Sequence, residues 1–184
     1  MAQAKGSTLI ATRDFVRAEK GADVLASVMN RIASEDRELI ETCSPTGEIP
    51  LDLLLTLWHA VDDEIRDSDP EWVERAGGHS IEFTGVRLYS GIIRKASPME
   101  FLTQRVSLFR LYYHPGNMEV VEEDEEYAVL RLVGFDQPDP LFCRRQTGGL
   151  RRALTEAGGQ EPQTSHVRCV NEGDAFCEWE LRWR

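Results

Sequence analysis

Basic charge is scarce in this chain. Its 21 Lys and Arg stand against 32 Asp and Glu over 184 residues, for a net charge of −11. A surface built to neutralise phosphates needs the opposite balance, so general nucleic-acid binding is excluded as its main business. Long apolar runs are missing too. The stretch 51–58 is the nearest approach; it contains Asp52 and soon meets Asp62-Asp63-Glu64, far short of a membrane span. The first residues, Met1-Ala2-Gln3-Ala4-Lys5-Gly6, lack an apolar signal-peptide core, so a cytoplasmic protein with reduced thiols is expected. There is no phosphate-binding loop, no dinucleotide fingerprint and no Gly-x-Ser-x-Gly elbow. The length suits one domain with a substantial core.

What is present divides into two halves. In the first, apolar residues recur at helical spacing. Helices are expected from Ser7 or Thr8 to Gly21, over 22–32, over 34–41 and from Pro50 to about 66, the last with Leu51, Leu54, Leu55, Trp58 and Val61 on one face. A further helix is expected over 71–96, with an interruption at Gly77-Gly78, and another from Ser97-Pro98 to about His114. Gly78, Gly85 and Gly91 weaken a helix, and a close helix contact or a nearby cavity would account for them. After His114-Pro115-Gly116 the pattern changes. Strands are expected over 118–122 and 127–133, then a helix over 141–157 stopped by Gly158-Gly159, then strands over 164–170 and 175–184. The acidic run 122–126 reads as a solvated turn. The expected class is therefore α+β: a helical N-terminal half, then a small antiparallel β-β-α-β-β sheet with helices packed on it. Residues 1–48 are expected to be a helical extension and 49–184 the core.

Four cysteines are few, and three of them fall near the C-terminus. Cys143 opens the expected helix, where its positive end favours a thiolate. Cys169 and Cys177 flank a turn at Glu172-Gly173-Asp174, and His166 lies three residues before Cys169. Three thiolates and an imidazole make a full tetrahedral set for structural Zn2+, with no position left open for substrate. Three buried thiols acting as small hydrophobes, or a Cys169–Cys177 disulfide, are the alternatives. Cys43 stands apart as an ordinary thiol.

These tail residues resemble the 4-vinyl reductase-type domain, found also as the sensory module of phenol-responsive transcription activators and related in fold to heme-NO-binding domains and to subunits of TRAPP tethering complexes. With Tyr112-Tyr113-His114-Pro115-Gly116, the tail is similar to a family expanded in myxobacteria. In the phenol sensors a cysteine, a carboxylate, a second cysteine three residues on and a third after a glycine turn bind zinc. The intervals of 26 and 8 residues between Cys143, Cys169 and Cys177 match that pattern, and His166 replaces the carboxylate. The resemblance implies a structural zinc, a homodimer formed through the helical face and, in some relatives, a pocket for a small hydrophobic ligand.

Trp58, His59, His79 and Tyr89 are the candidates for such a pocket; a core role for Trp58 and an outward-facing His59 are the plainer alternatives. Asp62-Asp63-Glu64 is expected to be a solvated helix face rather than a cation site. The over-apolar segment 86–93 points to a two-fold interface. The function expected is a non-enzymatic, zinc-stabilised sensory or regulatory module. It would bind a small hydrophobic ligand or a signalling protein partner and act as a homodimer, with no nucleic-acid or membrane partner. The alternative is an enzyme acting on a small aromatic substrate.

Overall fold

The computed structural model describes residues 2–86, 97–135 and 139–184, and their side chains except those of 84–86 and 103–108. The chain is α+β, as expected. Helices α1 (Gly6–Lys20), α2 (Ala22–Asn30), α3 (Ser34–Thr42), α4 (Leu51–Ile65) and α5 (Trp72–Ser80) form the first half, and a π-helical turn, Ile81–Val86, extends α5. Helix α6 (Pro98–Tyr112) leads into the sheet. The sheet is made of strands β4 (Asn117–Asp124), β5 (Tyr127–Val133), β6 (Gln163–Arg168) and β7 (Cys177–Arg182), with helix α7 (Pro140–Glu156) between the two hairpins. The order across the sheet is β4-β5-β7-β6, antiparallel throughout.

A second, three-stranded sheet was not foreseen. Its strands are β1 (Gln3–Lys5), β2 (Glu48–Pro50) and β3 (Tyr113–His114), in the order β2-β1-β3. Gln3 pairs with both Pro50 and His114. Pieces of two or three residues are too short to show alternation, and their partners are distant in sequence, so periodicity does not reveal them. This pairing draws the N-terminus onto the rest of the fold, and Leu9, Phe15 and Val16 of α1 share one buried core with Leu54 and Trp58 of α4.

Local chemistry explains the helix ends. Ser97 accepts from the Glu100 backbone N–H while the Glu100 carboxylate accepts from the Ser97 N–H, both at 3.2 Å, a reciprocal cap of the kind that starts a helix firmly. Asp139 caps α7 by accepting from the N–H groups of Leu141 and Phe142. Gly77 and Gly78 do not interrupt α5. Instead, a Cβ on Gly77 would lie 2.2 Å from the Arg145 carbonyl, and one on Gly148 would lie 1.9 Å from the Glu74 carbonyl. Helices α5 and α7 therefore cross with their backbones in contact, an approach only glycine permits.

Asp62 departs from the solvated face expected of it. It is buried, accepts from the Trp72 indole N–H at 2.8 Å and pairs with Arg66 at 3.0 Å. It ties α4 to the start of α5. Among the described residues no helix is long and apolar enough to cross a membrane.

Candidate functional site

Two sites involve α7, one at its first turn and one further along the helix. The first is the cysteine cluster. Cys143 comes from the first turn of α7, Cys177 from the start of β7, His166 from β6, and Cys169 from the loop after it. The backbone holds that loop tightly. Cys169 N–H donates to the Asp174 carboxylate at 2.8 Å, its carbonyl accepts from Glu172 and Asp174, and Gly173 takes the left-handed conformation (φ 97°) that closes the turn. A register shift between His166 and Arg168 resets the strand and leaves Val167 outside.

The result is that one donor atom from each of Cys143, His166, Cys169 and Cys177 falls within 4.8 Å of the others. All three thiols are buried, and all four cysteines of the chain are free, so no disulfide forms. Cys143 and Cys177 stand 3.6 Å apart, Sγ to Sγ. Their hydrogen bond, more than burial, raises the Cys143 thiol. The same bond lowers Cys177 against its burial, helped by His166, so Cys177 is the thiolate of the pair and Cys143 keeps the proton. Asn171 donates toward the sulfurs of Cys169 (3.5 Å) and Cys143 (3.7 Å), a contact that sequence reasoning missed. The His166 ring stacks on Trp179 at 4.5 Å, and its Nε2 is buried without a hydrogen-bond partner. Trp179 is fixed in turn by donating to Thr147 of α7 at 2.9 Å. Convergent soft donors with an orphaned imidazole nitrogen can hold a metal ion.

The second site is an apolar cavity of about 110 Å³ between α6, β4, β5 and α7. Phe101, Leu102, Phe109, Met118, Leu130 and Leu150 form most of its wall. A smaller chamber of about 70 Å³ adjoins it and shares Ile81, Tyr112, Tyr113, Gln146 and Gly149. Arg145 and Thr8 line this second chamber. Arg145 is 3% exposed, and burial pushes its guanidinium down to about 10, so it remains charged at neutral pH. It lies 4.8 Å over the Trp58 ring and donates one Nη to Ser80. Burial raises the neighbouring Tyr113 phenol, opposed by the charge of Arg145, so the phenol stays protonated.

The residues picked from sequence for a ligand pocket are not brought together. Trp58 is fully buried, donates its N–H to Thr12 at 3.1 Å and reaches the second site only through its face against Arg145. His59 is exposed and pairs with Asp139 at 2.9 Å, and His79 pairs with Asp14 at 2.8 Å and stacks on Phe83. None of the three lines the cavity. Tyr89, Gly91 and most of the apolar segment 86–93 lie outside the described residues.

No known family model matches this sequence, and no curated protein matches it. Solved structures do. An H-NOX protein from S. oneidensis in the Fe(II)NO ligation state superposes with a TM-score of 0.75 at 17% identity, covering 98% of this chain and 99% of that one. The fold is that of H-NOX domains. An Fe(II) unliganded H-NOX protein from K. algicida (TM-score 0.72, 12% identity, 98% and 96% covered) and an H-NOX structure described for the function of heme distortion (0.73, 12%, 98% and 95%) agree. These matches support the heme-NO-binding side of the resemblance and lend none to its 4-vinyl reductase or myxobacterial side. They also correct the expected cofactor. The solved proteins with this fold are described by heme and Fe(II), so structural Zn2+ is not the cofactor that accompanies it. Donor softness and spacing define a class of metal site; they do not name a fold's cofactor.

Proposed function

We propose that this chain is a non-enzymatic sensory module that takes a small hydrophobic ligand into the cavity between α6, β5 and α7. The cavity is the observation that carries this reading: an apolar cleft of about 110 Å³ where helices meet the sheet. Structures of the same fold are described by the ligation state of a heme iron, which supports a ligand-sensing use of the architecture.

Heme itself does not fit the residues of this chain. Protein ligands to heme iron are histidine, cysteine, methionine or tyrosinate. All four histidines and all four cysteines are described, and none lines the cavity. Tyr113 does line it, but burial keeps its phenol protonated. Met118 lines it without a histidine opposite. A chamber of this volume is also well below the roughly 300 Å³ at which pockets begin to enclose drug-sized ligands. The ligand is therefore smaller than a porphyrin.

A role other than catalysis is supported by where the acid–base groups sit: His59 and His79 each close on a carboxylate away from the cavity. Cys143, His166, Cys169 and Cys177 are read as a separate site for a thiophilic metal ion, tying α7 to the last hairpin. Reduced thiols there suit a cytoplasmic setting. The module acts as a homodimer and reports to a protein partner; this part rests on the apolar sequence segment 86–93. Calorimetry with benzyl alcohol tests the central reading. The wild type binds it, and Leu150→Trp, which fills the cavity, abolishes binding at unchanged circular dichroism. Absence of wild-type binding to both benzyl alcohol and its carboxylate counterpart benzoate would sink the proposal.

A further inference from the structure

Arg145 presents a problem that the apolar cavity alone does not solve. A buried guanidinium needs partners for its N–H groups and a counter-charge, because an unpaired ion in the interior is costly. Here one Nη donates to Ser80, but Nη1 is buried with no hydrogen-bond partner. Among the described residues no carboxylate stands within ion-pair distance of Arg145, although the chain carries 32 acidic residues. The Tyr113 phenol hydrogen-bonds the guanidinium, but burial keeps it protonated, so it supplies no negative charge. The backbone contact through Gly77 and Gly148 holds this stretch of α7 against α5, so Arg145 cannot readily swing to solvent.

The position of this cation is informative. Arg145 lines the smaller chamber, with Thr8, Gln146 and Tyr113 as neutral hydrogen-bonding neighbours. That chamber adjoins the apolar cavity, and the two share five lining residues. Together they form one elongated space, apolar at the α6–β5 end and cationic at the α1–α5 end. Their volumes, about 110 and 70 Å³, together exceed the roughly 150 Å³ of an apolar cavity known to bind benzene.

We infer that the ligand is a small apolar carboxylate, whose ring or chain occupies the cavity walled by Leu102, Phe109 and Leu130 and whose carboxylate accepts from Nη1 of Arg145. This rests on the sensory reading above and specifies its ligand class. Planar guanidinium and carboxylate match in geometry, and exclusion of water strengthens the bond. Thr8 and Gln146 stand beside the head group as further polar neighbours. The bound anion would supply the counter-charge that the protein lacks.

The test compares benzoate with its neutral relative, benzyl alcohol, by titration calorimetry on the full chain at neutral pH. Benzoate should bind about ten- to a hundredfold more tightly than benzyl alcohol, the range expected for a hydrogen bond to a buried charge. Arg145→Met should reverse the order, losing benzoate while keeping benzyl alcohol. Because Arg145→Met alters a packed position, the wild-type comparison stands by itself if that variant does not fold. Benzyl alcohol binding as tightly as benzoate would overturn the carboxylate inference and leave the cavity reading intact. Binding of neither would overturn both.

Discussion

The two sites share one helix and differ in almost everything else. Cys143 and Arg145 are two residues apart on α7, so they leave it on different faces. Cys143 joins donors that converge: four ligand atoms within 4.8 Å, the Cys143 thiol hydrogen-bonded to Cys177, and Asn171 donating to two sulfurs. Arg145 enters a chamber where its Nη1 is not answered at all. The cluster gathers four possible ligand atoms for one ion. The chamber is unbalanced in charge, and on the inference above that imbalance selects the ligand. An unmet nitrogen does not separate them, since His166 Nε2 lacks a hydrogen-bond partner as Arg145 Nη1 does; the difference is that four soft donors converge in the cluster, whereas a single cation stands among neutral groups in the chamber.

The strongest way to break the comparison is to remove the support that both sites share. Gly148→Ala drives a Cβ into the Glu74 carbonyl, and rigid backbone on both sides cannot yield. It should cost about 3 kcal/mol or more and disturb both sites together. Gly158→Ala, a left-handed position with nothing within 4 Å, should cost only about 1 kcal/mol. Chemical denaturation of the two variants measures both values.

Cys177→Ser separates the sites. Changing a group behind a metal ligand commonly costs ten- to a hundredfold in affinity, so deleting a ligand should cost at least about a hundredfold. Elemental analysis of purified wild type and variant should show a bound metal ion lost, and hydrogen exchange should rise first in β6 and β7. Affinity for benzyl alcohol should stay within about twofold, since no cluster residue lines the cavity.

Arg145→Met makes the reverse cut. Metal content should not change. Stability should stay within about 1 kcal/mol of wild type or increase, because a buried uncompensated charge is removed and a side chain of similar length remains. Thermal melts with metal analysis check this. The smallest effect belongs to Cys43→Ser. That thiol is half-buried at the edge of the core, and its hydrogen bond to the Ile40 carbonyl is long, so the change to the similarly sized serine should fall within about 0.5 kcal/mol.

How legible each region was in the sequence follows from how each is assembled. The cluster needs only one helix start and one hairpin, and the spacing of His166, Cys169, Gly173 and Cys177 reveals both. The succession of strands and α7 along the chain was readable for the same reason, because the strands are long enough to alternate and the helix ends in glycine, but the β4-β5-β7-β6 order across the sheet was not read. The three-stranded sheet was not readable, since Gln3, Pro50 and His114 meet only after the intervening helices have folded. The cavity between α6, β5 and α7 was not read from the sequence. Reasoning by residue type chose Trp58, His59 and His79, and each of these is absorbed by a neighbour: Thr12, Asp139 and Asp14. Its walls come instead from helices and strands that no periodicity associates, and its one cation, Arg145, looks in sequence like any other residue of a basic helix face. The close helix contact expected at Gly78 is there, against Gly148 and Arg152 of α7, although the sequence did not name that partner helix.

The claim on which all this depends is that a small ligand enters the space between α6, β5 and α7. Methyl-resolved nuclear magnetic resonance of the full chain, titrated with benzoate, tests it most directly. The methyls of Leu102, Met118, Leu130 and Leu150 should shift together with one affinity, while those of Leu25 and Val28 in α2 stay unmoved. Unmoved cavity methyls at saturating benzoate, or shifts confined to exposed residues such as Leu39 and Val167, would contradict the account.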